Sequence, residues 1–263
     1  VSTNAEALRL LRLGLTRQCA LPAEAAMTNT AGMMADLAGM KRLVQLLAAE
    51  GRLRELDNQP FAAAHSYLDA MRFGNEISRG GFLITRLVGI ACEAIGRAAL
   101  VKLLPSLNPQ EARQVLAELE KMDGNRVSLD EVMRGDKRYS YHAFRRLGNP
   151  VILVQSLWNL RGTKVRAAER HNRNLALGRL LAAELALRCY LADKARAPAR
   201  LEDLIPDYCS SVPQDPFSGQ AMVYRPQGTN WLLYSIGADR VDNGGKPVAR
   251  GLPSPGDLLY DAP

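Results

Sequence analysis

The chain has 263 residues, enough to bury a substantial core as one large or two modest domains. Hydrophobic residues make up 47% of it and charged residues 23%, which excludes a disordered or fibrous protein; aromatics are scarce at 6%. The net charge of +7 is uneven: from Leu201 onward eight acids stand against four bases, net −4, so the preceding part carries +11 and the two parts face different surroundings.

Residues 4 to about 196 read as helices with short breaks. Leu8, Leu11 and Leu15 recur at three and four residues, as do Met33, Leu37, Met40, Val44 and Leu47, so each segment has one apolar stripe seeking a shared core. Pro60 suits the first turn of a third helix, with Phe61, Leu68, Met71 and Ile77 facing inward, and Gly80-Gly81 ends it. The longest apolar run, Phe82 to Leu104, carries Arg86, Glu93, Arg97 and Lys102. That is too much charge for a bilayer core, so it reads as a buried helix of a soluble bundle.

Asn108, Pro109 and Glu111 form a capping box, and Ser128 with Glu131 repeats the device before Val132 and Met133. Gly148-Asn149-Pro150 breaks the pattern, and residues 148 to 172 are read as helix, with a short strand at Val151 to Val154 as the alternative. Asn172 to Arg196 is a strong helix, apolar over a wide face, and is expected to pack on both the helical array and the tail. Helix pairs such as 31–57 with 60–78 have the size of tetratricopeptide hairpins, yet no fixed period recurs.

The tail begins with a short helix expected over Leu201 to Tyr208, followed by the braces Pro213 and Pro216. Gln220 to Arg225 and Asn230 to Ser235 then form a hairpin pattern around Pro226-Gln-Gly-Thr229. Asp215-Pro-Phe217 reads as a loop whose Phe217 plugs the small core, and Trp231, Tyr224 and Tyr234 read mainly as packing aromatics. The loop Ser235-Ile-Gly-Ala-Asp239, Asp242, Asn243, Gly244-Gly245 is rich in cation-capable oxygens. Its residues suit a calcium shell, and they equally suit a metal-free turn in which Asp and Asn bond their own backbone and Arg240 stands in for the cation.

Cys19, Cys92, Cys189 and Cys209 lack any CxxC pairing and read as buried free thiols, with a Cys189–Cys209 bridge as the alternative in an exported chain. The basic stretch Arg161, Lys164, Arg166, Arg170, Arg173 and Arg179 reads as a solvated face with ion pairs. Its alternative is an anionic-surface contact, and no nucleic-acid motif accompanies it. His65, His142 and His171 are isolated, with no HExxH, GxSxG or glycine-rich phosphate loop, so no catalytic residue is singled out.

The order from Asn172 to Gly245, carried by Asp203-Leu-Ile-Pro-Asp-Tyr208, Asp215-Pro-Phe217, Tyr224 and Leu233-Tyr-Ser-Ile-Gly-Ala-Asp239, resembles the globular end of type II secretion pseudopilins. In those subunits a long helix leads through a loop with a short helix to a small antiparallel sheet and a calcium-binding loop. The resemblance covers a quarter to a third of the chain. It implies calcium held around Ser235, Asp239, Asp242 and Asn243.

Here the long helix is internal, carries Arg179, Glu184, Arg188 and Asp193, and follows a helical region, which argues against a filament subunit. The whole chain resembles bacterial envelope proteins in which a multi-helix region precedes a pseudopilin-like tail. The expectation is a mainly α fold with a small C-terminal α+β module, divided at 1–171 and 172–263. The role expected is non-catalytic and structural or interactive, with a protein partner. Val1 is not an initiator methionine, and an upstream signal peptide or membrane anchor is expected. The rival readings are an envelope enzyme whose site is assembled by folding, and a binder of anionic membrane or nucleic acid through the Arg161–Arg179 face.

Overall fold

Seven α-helices and one two-stranded antiparallel sheet make up residues 4–20, 30–147, 150–246 and 256–261, the part described by the computed structural model. The helices are α1 (Ala5–Leu15), α2 (Thr30–Leu56), α3 (Pro60–Glu76), α4 (Leu83–Leu103), α5 (Pro109–Gly124), α6 (Leu129–Leu147) and α7 (Pro150–Lys194). The strands, β1 (Val223–Gln227) and β2 (Asn230–Tyr234), follow near the C-terminus. The fold is therefore mainly α with a small C-terminal sheet, as the stripes and the hairpin pattern predict.

The stripes locate the packing. Leu8, Leu11, Val44 and Leu47 are buried together with Ala70, Ile77 and Cys92, which seats α1 and α2 on the α3–α4 pair. That pair packs backbone against backbone where glycine replaces side chains at the crossing. A Cβ on Gly74 would stand 2.6 Å from the Gly89 carbonyl oxygen, and one on Gly96 would stand 2.5 Å from that of Tyr67. No larger residue fits either place without displacing backbone. The capping box at Asn108 forms in both directions, each bond 2.9 Å long, and starts α5 where the sequence places it.

Helix α7 is a single element of 45 residues that runs through residues 171 and 172 without interruption. Its apolar side joins α4 and α5 to Leu201, Leu204, Phe217, Met222 and Leu233 in one hydrophobic core, so the helical array and the C-terminal segment are buried against each other. The segment departs from expectation in two details. The short helix stops early, as a 3-10 turn over Leu201–Leu204. Pro206 has no N–H to continue it, and Ile205 before it is held extended. The hairpin turn is also tighter, because Gln227 pairs with Asn230 and only Gly228 and Thr229 lie between. Gly228 takes the positive φ of 69° that the turn requires. Pro226 sits within β1 opposite Trp231, tolerated because a strand of a two-stranded sheet has a free side.

Candidate functional site

Helix α4 places Arg86, Glu93 and Arg97 on the same face as Gly89, Cys92, Gly96 and Leu100, and all of them are buried. A charge at such depth persists only if it is paired and hydrogen-bonded. Glu93, 3% exposed, meets both demands. One carboxylate oxygen accepts from Arg86 at 2.7 Å, and the other accepts from Arg126 at 2.6 Å and from the Asn174 amide at 2.7 Å. Burial alone would raise this carboxyl, but Arg126, Arg86 and Asn174 outweigh it and hold the group at about 2.

The network extends further along α7. Arg97 donates to the Asn174 oxygen at 2.8 Å, and Arg86 donates through Nε to His171 Nδ1 at 3.1 Å. That bond fixes His171 as a neutral acceptor. Burial first, and then the charges of Arg86 and Arg126, push its pKa down to about 4. Arg97 is pushed down to about 10, again by burial in the first place. The cluster thus holds more arginine than carboxylate in its interior, and Arg86 Nη2 is buried without a partner among the described residues.

Above Glu93 and Arg126 opens a cleft of about 350 Å³. One wall is apolar, from Leu116, Leu119 and Met122 of α5 with Ala182 and Ala183 of α7, and the other is the chain from Cys209 to Gln214. The helices tie that chain down by charge. Ser210 donates its N–H at 2.8 Å and its hydroxyl at 3.0 Å to Glu120, and Arg179 donates to the Gln214 carbonyl at 2.8 Å while also pairing with Asp123 at 3.0 Å. Burial pushes the Cys209 thiol in this wall up to about 11, away from thiolate character at neutral pH. The arrangement is a preformed polar floor beside an apolar wall, suited to holding a group rather than to generating a nucleophile.

The oxygen-rich loop near the C-terminus is organised differently. Ser235 is buried, and its hydroxyl donates to Asp215 at 2.9 Å, one layer behind the loop. Asp215, itself buried, also accepts from the N–H groups of Phe217 and Ile236, which explains why the Asp-Pro-Phe turn holds its shape. Asp239 accepts from Val241, Gly256 and the Asn243 amide; Asp242 accepts from Tyr234, Arg225 and the Gly244 N–H. Asp257, which the sequence does not single out, is fully buried and accepts from the N–H groups of Asn243 and Gly245. Burial raises its carboxyl, and the neighbouring Asp242 and Asp239 raise it further.

Asp239, Asp242 and Asn243 therefore come together with Asp257, whereas Ser235 turns away to Asp215. Among the described residues no three His, Cys, Asp or Glu side chains are grouped as a ligand set. Residues 247–255, between this loop and Gly256, lie outside the described part.

The remaining candidates fall as follows. His65 and His142 are exposed, and of the three histidines only His171 joins a buried network. The indole of Trp231 donates to Glu184 on α7, Tyr224 donates to the Pro198 carbonyl, and Tyr234 is fully buried, so these aromatics serve packing. All four cysteines are free; Cys19 is exposed rather than buried, because it follows the end of α1. The basic stretch divides: Arg179 turns inward to Asp123, Arg173 is lowered by burial, Arg166 and Arg170 are exposed, and the side chain of Arg161 lies outside the described residues.

The Glu93 network went unread in the sequence although a signal for it was present. Arg86, Glu93 and Arg97 stand seven and four residues apart on the apolar stripe of α4, and Asn174 interrupts the stripe of α7. The chain matches no protein-family model, no curated protein sequence and no solved structure.

Proposed function

We propose that this chain is a non-catalytic interaction protein of the cell envelope, in which a helical array carries a pseudopilin-like C-terminal part and receives a segment of a protein partner in the cleft above Glu93 and Arg126. The observation that carries this reading is the mutual satisfaction of the cleft's charges. Glu93, Arg126, Asp123, Arg179 and Glu120 bond one another or the 210–214 backbone, which preorganises a binding surface and leaves an apolar wall for a partner's side chains.

Calcium is part of the proposal at the C-terminal loop. In this reading Asp239, Asp242 and Asn243 would supply oxygens to such an ion near Asp257, whose carboxyl is raised first by burial and then by the charges of Asp242 and Asp239, charges that a divalent cation would relieve. Ser235 does not fit, since its hydroxyl is committed to Asp215. The metal would supply positive charge and rigidity to the loop.

The test is a photo-cross-linking amino acid placed at exposed Ser211, on the cleft rim, and separately at exposed Thr229, at the hairpin tip, in the full-length protein within its own cells. A discrete protein adduct is expected from position 211 alone, in the membrane fraction, and it should vanish when Ala182→Phe fills the cleft. Equal labelling at both positions, no adduct, or recovery of the protein in the cytosolic fraction would overturn the reading.

A further inference from the structure

The α6–α7 hairpin gathers exposed cations that have no carboxylate partner among the described residues. Several arginines elsewhere meet carboxylates: Arg12 pairs with Glu50 and Asp69, Arg79 with Glu76, Arg126 with Glu93 and Asp123, Arg188 with Glu184; exposed Arg17, Arg42, Arg196 and Arg240 make no ion pair among the described residues but stand scattered in sequence. On the hairpin, Arg134, Lys137 and Arg138 of α6 and Arg166 and Arg170 of α7 are exposed and make no ion pair among the described residues. Asp136 of α6 approaches Lys164 of α7 at 3.9 Å, which sets the segment Arg134–Arg138 alongside Lys164–Arg166 and gathers cations of both helices within about two turns.

Apolar groups are set among these charges. Val165, flanked in sequence by Lys164 and Arg166, is 67% exposed, and Tyr141, one turn beyond Arg138, is 59% exposed. Water favours neither side chain at such exposure, and an isolated one would need no explanation. Set among cations most of which are unpaired, they reproduce the chemistry of a surface that lies in a lipid headgroup layer: cations meet phosphate, aliphatic and tyrosine groups enter the acyl boundary, and lysine and arginine stems reach along it. A nucleic acid would use the cations as well but would leave Val165 in water.

We propose that the exposed face of the α6–α7 hairpin binds the surface of a bilayer containing anionic phospholipid. The contact is peripheral, which accords with no helix among the described residues being long and apolar enough to cross a membrane. It is independent of the cleft and of any upstream anchor.

Co-sedimentation of the 263-residue chain with vesicles tests it, comparing pure phosphatidylcholine with phosphatidylcholine containing about a third phosphatidylglycerol, a fraction chosen so that surface charge dominates attraction. Binding is expected only to the anionic vesicles, and 0.5 M salt, where the screening length falls to roughly 4 Å, should abolish it. Each neutralisation among Arg134→Gln, Lys137→Gln, Arg138→Gln, Arg166→Gln and Arg170→Gln should weaken it about fivefold. Val165→Ser should weaken binding without changing its salt dependence. A control triple variant, Arg9→Gln, Arg52→Gln and Arg200→Gln, removes exposed but paired cations and should bind as the parent does. The proposal is overturned if both vesicle types bind alike or neither binds, if the control loses as much as the hairpin variants, or if duplex DNA or RNA binds more tightly than the anionic vesicles.

Discussion

Two groups of buried carboxylate in this molecule are kept by opposite means. Glu93 sits among Arg86, Arg126 and the Asn174 amide, so the helices supply formal positive charge and its pKa falls to about 2. Asp257 is buried among backbone N–H groups with Asp239 and Asp242 nearby, and burial first, then those like charges, raise its pKa against the opposing pull of the amides. Helices can afford the first arrangement because long side chains from α4, α5's end and α7 reach a common point. A short loop has no such reach and must use its own amides, which satisfy hydrogen bonds without cancelling charge.

The sharpest way to break the comparison is Glu93→Gln. It keeps the shape and removes the one carboxylate that Arg86 and Arg126 share, leaving Arg86 buried without an ion pair and Arg126 with Asp123 alone. Breaking a buried pair from one side costs roughly 3–5 kcal/mol, and urea unfolding of the variant should show a loss on that scale. A loss below about 1 kcal/mol, the level of exposed pairs, would mean that solvent reaches the network and that it is not the closed cluster described here.

The same network predicts a pH response. His171 has its pKa lowered from 6.5 to about 4, so the folded protein holds it neutral while the unfolded chain takes up a proton below 6.5. Stability is therefore lost as pH falls from about 6.5 toward 4, by about 3 kcal/mol for this group. The Glu93 contribution follows only below 4.5, its unfolded value, as pH falls toward about 2. Urea titrations of the parent and His171→Asn at pH 7, 5.5 and 4.5 should show the parent losing more. Parallel curves would remove His171 from the acid response.

How far the residues themselves disclose these two sites depends on the kind of interaction. The helices are readable because stripes such as Leu37, Val44 and Leu47 repeat at the helical period and because Asn108 and Glu111 cap locally; those signals lie within one element. The early stop after Leu204 was equally local, written in Pro206, but the apolar and acidic residues around it pointed to a longer helix. The Glu93 network joins residues up to 85 positions apart, and its charges say only that partners are needed, not which they are. Ser235 illustrates the converse error of proximity: it is close in sequence to Asp239, but its direction in the extended strand end faces Asp215. Asp257 could be placed only once the chain's return beside Ser235, through the Ser235–Leu258 bridge, was known.

The loop offers the smallest effect and the finest test of the comparison. If Asp257 is destabilising when ionised, then its raised pKa means that its contribution is favourable at low pH and is lost as pH rises through the folded value, leaving the loop under charge repulsion at neutral pH. A cation that binds only the folded loop would offset this, by about 2.7 kcal/mol at a hundredfold excess over its dissociation constant. For a chain of this size that is a rise of roughly 5–10 °C in thermal midpoint. Thermal unfolding at pH 7.5 in chelator and in millimolar calcium should show such a rise in the parent and none in Asp242→Ala, with magnesium giving little because it demands a tighter oxygen shell. An unchanged midpoint in the parent would show that backbone amides alone hold these carboxylates, so that the loop, like the Glu93 cluster, is complete without a metal but reaches completeness through dipoles where the helices use guanidinium.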